Sequence, residues 1–179
     1  MQKKRTFAIM AILIAVLVLG VGYAAIANVT LNLNGQASIK ANADFTVVYD
    51  TSHTVATNTL TSPASVAGAY TNTSTATMTV TLDNANKTAY AIYKVDNTSS
   101  ELAAQLSASV TPVSGTYASY FNITAAYYSD AACNTALTGN LAHGNSAYLK
   151  VTVTLTKAPI EDVAAQTFSV TTTAVAQEA

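Results

Sequence analysis

The amino-acid sequence predicts an all-β protein, a β-sandwich of about eight antiparallel strands that follows an N-terminal apolar segment. Three observations predict this class. Apolar residues recur at every second position through much of residues 28–179, which is the period of a strand with one buried face. Turn-forming residues interrupt these stretches at short intervals. No long segment of that range keeps the 3.6-residue period of an amphipathic helix.

The first 27 residues, MQKKRTFAIMAILIAVLVLGVGYAAIA, have the pattern of a signal peptide. Three basic residues precede an apolar run, and Ala25 and Ala27 stand three and one positions before a scissile bond. We therefore predict cleavage after Ala27. Asn28 then begins the mature chain, and the protein is extracellular or lies at the cell surface.

Two other interpretations of this leader stay open. It is about long enough to be retained as a membrane anchor with its basic flank inside. It also shares the outline of a type IV pilin leader, although the usual Gly before the apolar run and the Glu inside it are missing. Each interpretation places the remaining chain outside the cytoplasm. If the leader is cleaved, membrane contact is expected only before cleavage.

The predicted mature chain begins directly as a strand. Val29, Leu31 and Leu33 alternate with Thr and Asn residues, which is typical of a strand with one apolar face. We predict that residues 28–40 form an N-terminal strand and that residues 41–179 form a β-sandwich domain.

Further strands follow along the domain. Residues 45–49 alternate, and a Ser/Thr/Ala-rich segment around Pro63 and Gly68 predicts a loop with a weak edge strand. Residues 76–95 predict a hairpin, because two alternating stretches flank the turn-forming cluster DNANK. One helical turn is predicted at residues 99–101.

The last three predicted strands have the strongest patterns. The segment YFNITAAYY is the most aromatic, and its tyrosines are interpreted as core or cross-strand partners. Two later segments have clear inward faces. The predicted inward residues are Ala147, Leu149, Val151, Val153 and Leu155 in the first, and Phe168, Val170, Thr172 and Ala174 in the second.

Charge is sparse in this chain. Charged residues make up 9% of it, and the formal net charge is −1. Residues 3–5 hold three of the eight basic residues, so removal of the leader leaves five basic residues against nine acidic ones, a net charge of about −4. No basic stripe remains, so no nucleic-acid partner is expected.

The sequence contains no arrangement of residues that is typical of catalysis or metal binding. His53 and His143 are the only histidines, and they lie far apart in polar, loop-like segments, so a zinc site lacks ligands. Cys133 is the only cysteine. It cannot form an internal disulfide and is interpreted as a structural thiol. We predict no enzymatic activity, no metal and no cofactor.

Candidate glycosylation sites are present in five N-x-[ST] triplets. They begin at Asn28, Asn72, Asn86, Asn97 and Asn122. A chain rich in Asn and Thr also produces such triplets by chance.

The order of these features resembles the TasA/camelysin family of secreted filament and biofilm-matrix proteins, whose signal peptides are removed by a SipW-type peptidase. The resemblance is carried by the leader KKR…LVLGVGYAAIA, by the strand that follows at once, and by ATMTVTLDNANKTAYAIYKVDNTSSELAAQLSASV. Within that segment, VDNTSS is similar to the family's V-x-N-x-G turn, with Ser in place of Gly. The closing LKVTVTLTKAPIEDVAAQTFSVTTTAVAQ is similar to the family's last two strands and terminal Gln. Archaeal bundling pilins share the architecture.

The resemblance implies a jelly-roll subunit that joins identical copies head to tail by donating its N-terminal strand, in a pilus or matrix fibre that other matrix or pilus proteins could join. Val29, Leu31 and Leu33 would be the donor residues, entering an apolar groove of the next copy. The alternative is that residues 28–40 fold back as the first strand of their own sandwich. The protein would then be a monomeric surface protein or adhesin.

Overall fold

A computed structural model describes residues 28–32, 45–158 and 166–177, the first of these ranges by its backbone. Its regular structure is almost entirely β. The described strands are β1 (Asn28–Asn32), β2 (Val47–Tyr49), β3 (Ala56–Thr57), β4 (Ser65–Asn72), β5 (Thr75–Thr81), β6 (Thr88–Asn97), β7 (Ala103–Thr111), β8 (Phe121–Tyr128), β9 (Ser146–Leu155) and β10 (Ser169–Gln177). They form two sheets with a hydrophobic core between them, so the predicted all-β sandwich is confirmed.

Some predictions fall outside these ranges. The leader, with Ala25 and Ala27, lies outside the described residues, and so do Leu33 and the remainder of the predicted N-terminal strand. Within the described ranges, the structure holds no helix with the length and apolar character that a membrane crossing needs.

The two sheets differ in strand order. Sheet I has the order β4-β5-β1-β10-β7, and sheet II has the order β2-β6-β9-β8. Because β9 takes one edge of β6, the short strands β2 and β3 share the other edge. Pairing is antiparallel except between β1 and β5, which run parallel. β1 therefore lies in the middle of sheet I, and β4 and β7 lie at its edges.

The period-two pattern of the sequence correctly predicts which residues of β9 and β10 face the core. The five predicted inward residues of β9 are all at most 6% exposed. On β10, Val170, Thr172 and Ala174 are completely buried, as predicted, and Phe168 just before the strand is partly buried against the core. Removing these apolar surfaces from water is what holds the two sheets together.

The predicted hairpin over residues 76–95 is wrong. β5 belongs to sheet I and β6 belongs to sheet II, so the chain crosses between sheets at this point. The turn chemistry is nevertheless present, because the Asp83 carboxylate accepts hydrogen bonds from the backbone N–H groups of Ala85 (2.9 Å) and Asn86 (2.6 Å). Such a turn fixes the local direction of the chain, but it does not fix which sheet the next strand joins.

Two smaller predictions also need correction. The strand predicted around Gly68 lies at an edge of sheet I as predicted, but it is not weak: β4 has eight residues and pairs with β5 along most of its length. Residues 99–101 form no helical turn. Instead, the Ser99 hydroxyl accepts a hydrogen bond from the backbone N–H of Thr46 (2.9 Å), which ties this connection to the start of β2.

Charge is divided unequally between the sheets. The described strands of sheet I contain no charged residue, and the exposed residues of β4, β5 and β7 are mostly Ser, Thr and Ala. In sheet II, the Lys94 ammonium lies 2.8 Å from the Asp50 carboxylate and 3.3 Å from the Asp96 carboxylate. Sheet I therefore presents an uncharged outer face.

Candidate functional site: the β1 slot

The N-terminal strand β1 lies between β5 and β10, and we call this position the β1 slot. β1 runs antiparallel to β10, with Asn28 opposite Val175 and Asn32 opposite Thr171. Asn32 also lies opposite Thr75 in the parallel pairing with β5. Among the described strands, β1 alone connects the β4–β5 pair with the β10–β7 pair. With an empty slot, sheet I would be two two-stranded units, which are marginally stable by themselves.

The register gives β1 a core face. Val29 lies opposite Ala174, and Leu31 lies opposite Thr172. Both of these β10 residues are completely buried. Directly opposed residues of antiparallel strands share one face of a sheet, so Val29 and Leu31 occupy core-face positions. The third predicted donor residue, Leu33, lies outside the described residues.

The predicted cleavage point coincides with the start of β1. Asn28 is the residue that we expect to follow the scissile bond, and it is the first residue of the strand. If the chain is cut there, β1 has a free end and can leave the slot without threading the chain through the fold. The leader would otherwise be attached directly to a strand in the middle of a sheet.

Tyrosines fill the core beneath β4 and β5. The rings of Tyr49, Tyr70 and Tyr93 pack against one another, with centroids 5.8 to 6.2 Å apart. The Tyr93 hydroxyl donates a hydrogen bond to the backbone carbonyl of Thr77 on β5 (2.8 Å). Burial raises the pKa of Tyr93 well above its ordinary value, so this hydroxyl stays neutral and remains a donor. Sheet II is thereby tied to the β5 side of the slot.

On the β10 side of the slot, two buried tyrosine hydroxyls lie next to one threonine. The hydroxyls of Tyr49 and Tyr127 are buried beside Thr172, the residue opposite Leu31. Burial raises the pKa of both tyrosines, and the Thr172 side chain opposes part of that shift. Thr172 is therefore the polar group of β10 that lies against these two hydroxyls in the core. No local sequence pattern shows that these groups meet, so sequence reasoning missed them.

Asn97, one of the sequon residues, has a structural role. It is 1% exposed. Its side-chain amide donates hydrogen bonds to the carbonyl oxygens of Leu102 (2.9 Å) and Leu141 (3.1 Å), and its side-chain oxygen accepts one from the backbone N–H of Ser99 (3.2 Å). A glycan on this nitrogen would require the network to open.

The other sequon residues are less enclosed. Asn72 and Asn122 are exposed. Asn86 is half-buried, and its side-chain amide donates a hydrogen bond to the carbonyl of Thr61 (3.1 Å). Asn28 begins β1 and is described by its backbone. Glycosylation of these residues stays a prediction.

The histidines and the cysteine lie away from the slot strands. His53 packs against Tyr148, with ring centroids 6.2 Å apart, and His143 is exposed in the connection before β9. Cys133 is 8% exposed in the loop after β8, and burial raises the pKa of its thiol. Within the described ranges, no three His, Cys, Asp or Glu side chains come together as a set of metal ligands.

Comparison with known proteins leaves the family open. No family model matches the chain, and neither a curated protein nor a solved structure matches it. The resemblance to the TasA/camelysin family therefore stays a prediction, and the β1 slot is the feature from which a function can be argued.

Proposed function

We propose that this protein is a structural subunit of an extracellular filament, a pilus or a biofilm-matrix fibre, in which identical copies are joined through β1. The observation that carries the proposal is the central place of β1. A strand at the predicted mature terminus completes the middle of sheet I. The β1 of a neighbouring copy has the same sequence and can meet the same two strand edges, so it can take the same place.

The connection after β1 is long enough for this exchange. Residues 33–44, which join Asn32 to Phe45, number 12, and an extended chain of that length spans at most about 40 Å. The longest strands have ten residues and span about 33 Å. Each copy would give one strand and receive one. When each copy donates its strand to a copy other than the one that supplies its own, the contact is heterologous, and an open series of such contacts builds a fibre.

The donated strand would be held by backbone pairing and by apolar burial. It would pair with β10 along its length, as in the intrachain arrangement. If the register continues, Leu33 falls opposite Val170, which is completely buried. Together with Val29 and Leu31, it would contribute on the order of 5 kcal/mol before ordering costs.

The resemblance supports the finer parts of the proposal. These are jelly-roll connections, release of the leader outside the cytoplasm, and assembly with identical copies and with other matrix or pilus proteins. The uncharged strands of sheet I suit close packing between copies, because they bring no like charges together. The proposed role is structural, and no step in it needs catalysis, a cofactor or a nucleic acid.

The test is to incubate residues 28–179 at moderate concentration and to image the sample by negative-stain electron microscopy. Regular fibres are expected. Leu31→Lys, at a core-face position of β1, should abolish them. Thr30→Lys, opposite the half-exposed Thr173, should leave them intact, so the two variants separate the loss of a core contact from the addition of a charge. A chain that stays monomeric at every concentration would contradict the proposal.

A second function is favoured by the intrachain pairing of β1. A chain that fills its own slot is a self-contained sandwich, which suits a monomeric surface protein or adhesin. Such a protein should bind a ligand saturably and form no fibres. Deletion of residues 28–34 separates the two functions, because a filament subunit should lose assembly. Fibres formed by the truncated chain would show that β1 is not the joint.

A further inference from the structure

The outer face of sheet II carries tyrosines that the core does not use. Tyr90, Tyr128 and Tyr148 lie on β6, β8 and β9, at positions that alternate with the buried residues of these strands. The described strands of sheet I place no aromatic ring on their outer face. We propose that the outer face of sheet II binds an uncharged extracellular polysaccharide. This role goes beyond the proposed function and does not depend on β1.

Four side chains cross this face in one row. Tyr128 lies opposite Tyr148 in the pairing of β8 with β9, and Tyr148 lies opposite Lys94 in the pairing of β9 with β6. Asp50, the residue after β2, ends the row with its carboxylate 2.8 Å from the Lys94 ammonium. Neighbouring strands are about 4.8 Å apart, so the row is about 14 Å long. It can therefore contact more than one sugar ring at a time, which favours a polymer over a free monosaccharide.

The two tyrosine rings of this row suit a sugar. One face of a pyranose ring carries C–H groups, and these pack on the electron-rich face of an aromatic ring. Tyrosine also offers a large, rigid contact area at a low cost in conformational entropy. Tyr128 and Tyr148 are both half-buried, and His53 packs edge-on against Tyr148 with ring centroids 6.2 Å apart. These contacts orient the rings before a ligand arrives, which lowers the cost of binding.

Hydrogen-bonding groups border the rings. The Asp96 carboxylate accepts a hydrogen bond from the Ser146 hydroxyl (2.7 Å) and lies 3.3 Å from the Lys94 ammonium. The side chains of Asp50, Lys94 and Asp96 keep 18 to 24% of their surface exposed. They hold one another in place, and sugar hydroxyls can still reach them. The face therefore combines flat rings with fixed polar groups at their edge.

The charges on this face favour an uncharged ligand. Lys94 and Lys150 are balanced by Asp50 and Asp96, and Asp130 lies just beyond the end of β8. A polyanion, such as a nucleic acid or an acidic polysaccharide, is bound through an excess of positive charge. This face has no such excess. An uncharged polymer needs none, because its hydroxyls bond equally well to carboxylates and to ammonium groups.

Immobilised protein tests the proposal, because the measurement is the same for a monomer and for a fibre. The protein is produced from the full chain, collected after export and fixed to a biosensor surface through its C-terminus. Dextran, hydroxyethylcellulose and polygalacturonate are then passed over it. We expect saturable binding of at least one of the two uncharged polymers and none of polygalacturonate. Binding of polygalacturonate alone, or of no polymer, would overturn the proposal.

Substitutions at Tyr148 locate the site. Tyr148→Ala should weaken binding at least about tenfold. Tyr148→Phe keeps the ring and its packing against His53, so it should weaken binding less than about threefold. Tyr117→Ala is the matched control, because this half-buried tyrosine packs edge-on against Tyr120 (5.8 Å) in the turn before β8. Circular dichroism checks that each variant is folded, and Tyr128→Ala takes the place of a Tyr148→Ala variant that is not.

Two further results bear on the proposals separately. A folded Tyr148→Ala variant that binds as tightly as the parent would place the polysaccharide elsewhere on the molecule and refute this inference. Fibre formation is measured independently by electron microscopy. Polysaccharide binding by a chain that never forms fibres would therefore contradict the proposed function and leave this inference standing.

Discussion

At Gly68 the inner face of β4 comes so close to the loop after β2 that a side chain does not fit. A Cβ atom there would lie 2.5 Å from Cγ1 of Val55 and 3.1 Å from the hydroxyl of Tyr93. Gly68→Ala should therefore overpack the core and lower the free energy of unfolding by about 1 to 3 kcal/mol. Urea denaturation measures the change. Ala67→Ser, at the exposed neighbouring position, is the control, and equal stability of the two variants would contradict this packing.

The buried side chain of Asn97 makes a second prediction at this scale. Asn97→Ala takes this partner from the Leu102 carbonyl and the Ser99 N–H, and it leaves the Leu141 carbonyl with its hydrogen bond from the Ala104 N–H (2.8 Å). We expect a loss of about 1 to 3 kcal/mol in the free energy of unfolding. Asn122→Ala, at an exposed position of β8, should change it by less than about 0.5 kcal/mol. A small effect at Asn97 would show that water replaces these bonds.

The ion pair of Lys94 with Asp50 makes stability depend on pH. The hydrogen bond from the Lys94 ammonium (2.8 Å) holds the pKa of the Asp50 carboxyl well below its ordinary value. A lowered folded-state pKa means that this stabilisation is present above the ordinary Asp pKa and is lost as pH falls through the folded-state pKa. Asp50→Asn should therefore lower Tm at neutral pH, and the difference from the parent should shrink below about pH 4. Glu101→Gln, at an exposed site, is the control for the change in charge.

At the scale of the elements, β1 should behave as a replaceable part. A chain that lacks residues 28–34 loses the strand that joins the two halves of sheet I, so we expect a lower Tm. A synthetic peptide of residues 28–38 should restore Tm by filling the slot. The same peptide with Val29→Asn and Leu31→Asn should not, because it lacks the core-face residues. Equal rescue by both peptides would show that the slot does not distinguish the two faces of the strand.

For individual strands, the sequence predicts which face is buried better than it predicts which strands pair. The inward faces of β9 and β10 follow from alternation alone, because a strand with one buried face cannot shift by one residue without reversing every side chain. The hairpin over residues 76–95 failed for a different reason. Its turn residues specify a local bend, but membership of a sheet depends on partners far away along the chain. Lys94 and Asp50 likewise meet only because β2 and β6 pair.

For the molecule as a whole, the placement of charge predicts how the proposed assembly through β1 would respond to salt. The described strands of sheet I carry no charged residue, and the Lys94 cluster lies in sheet II. Screening acts on charges, so fibre growth should change little between about 50 and 500 mM NaCl. Light scattering during growth measures this. A steep decline with salt would mean that charged contacts, and not strand exchange, join the copies.

The whole-molecule architecture was only partly accessible from sequence. The all-β class follows from local periodicity, and the absence of a helical period supports it. The position of β1 between β5 and β10 does not follow from local periodicity. Residues 28–32 pair with residues 171–175, and neither segment has a sequence pattern that identifies the other as its partner. The β1 slot is therefore visible only in three dimensions, although its strand was singled out by its alternation.

The pairing of β1 with β10 has a consequence for the order of folding. It joins Asn28 to Val175, near the two ends of the chain. Contacts between residues so far apart in sequence form late in folding, because the entropy cost of closing the large loop comes before the contact can contribute any stabilisation. In a chain that crosses a membrane N-terminus first, the middle of sheet I cannot close until the last strand has emerged. If the chain is exported as its leader predicts, the fold can therefore be completed only after β10 has crossed.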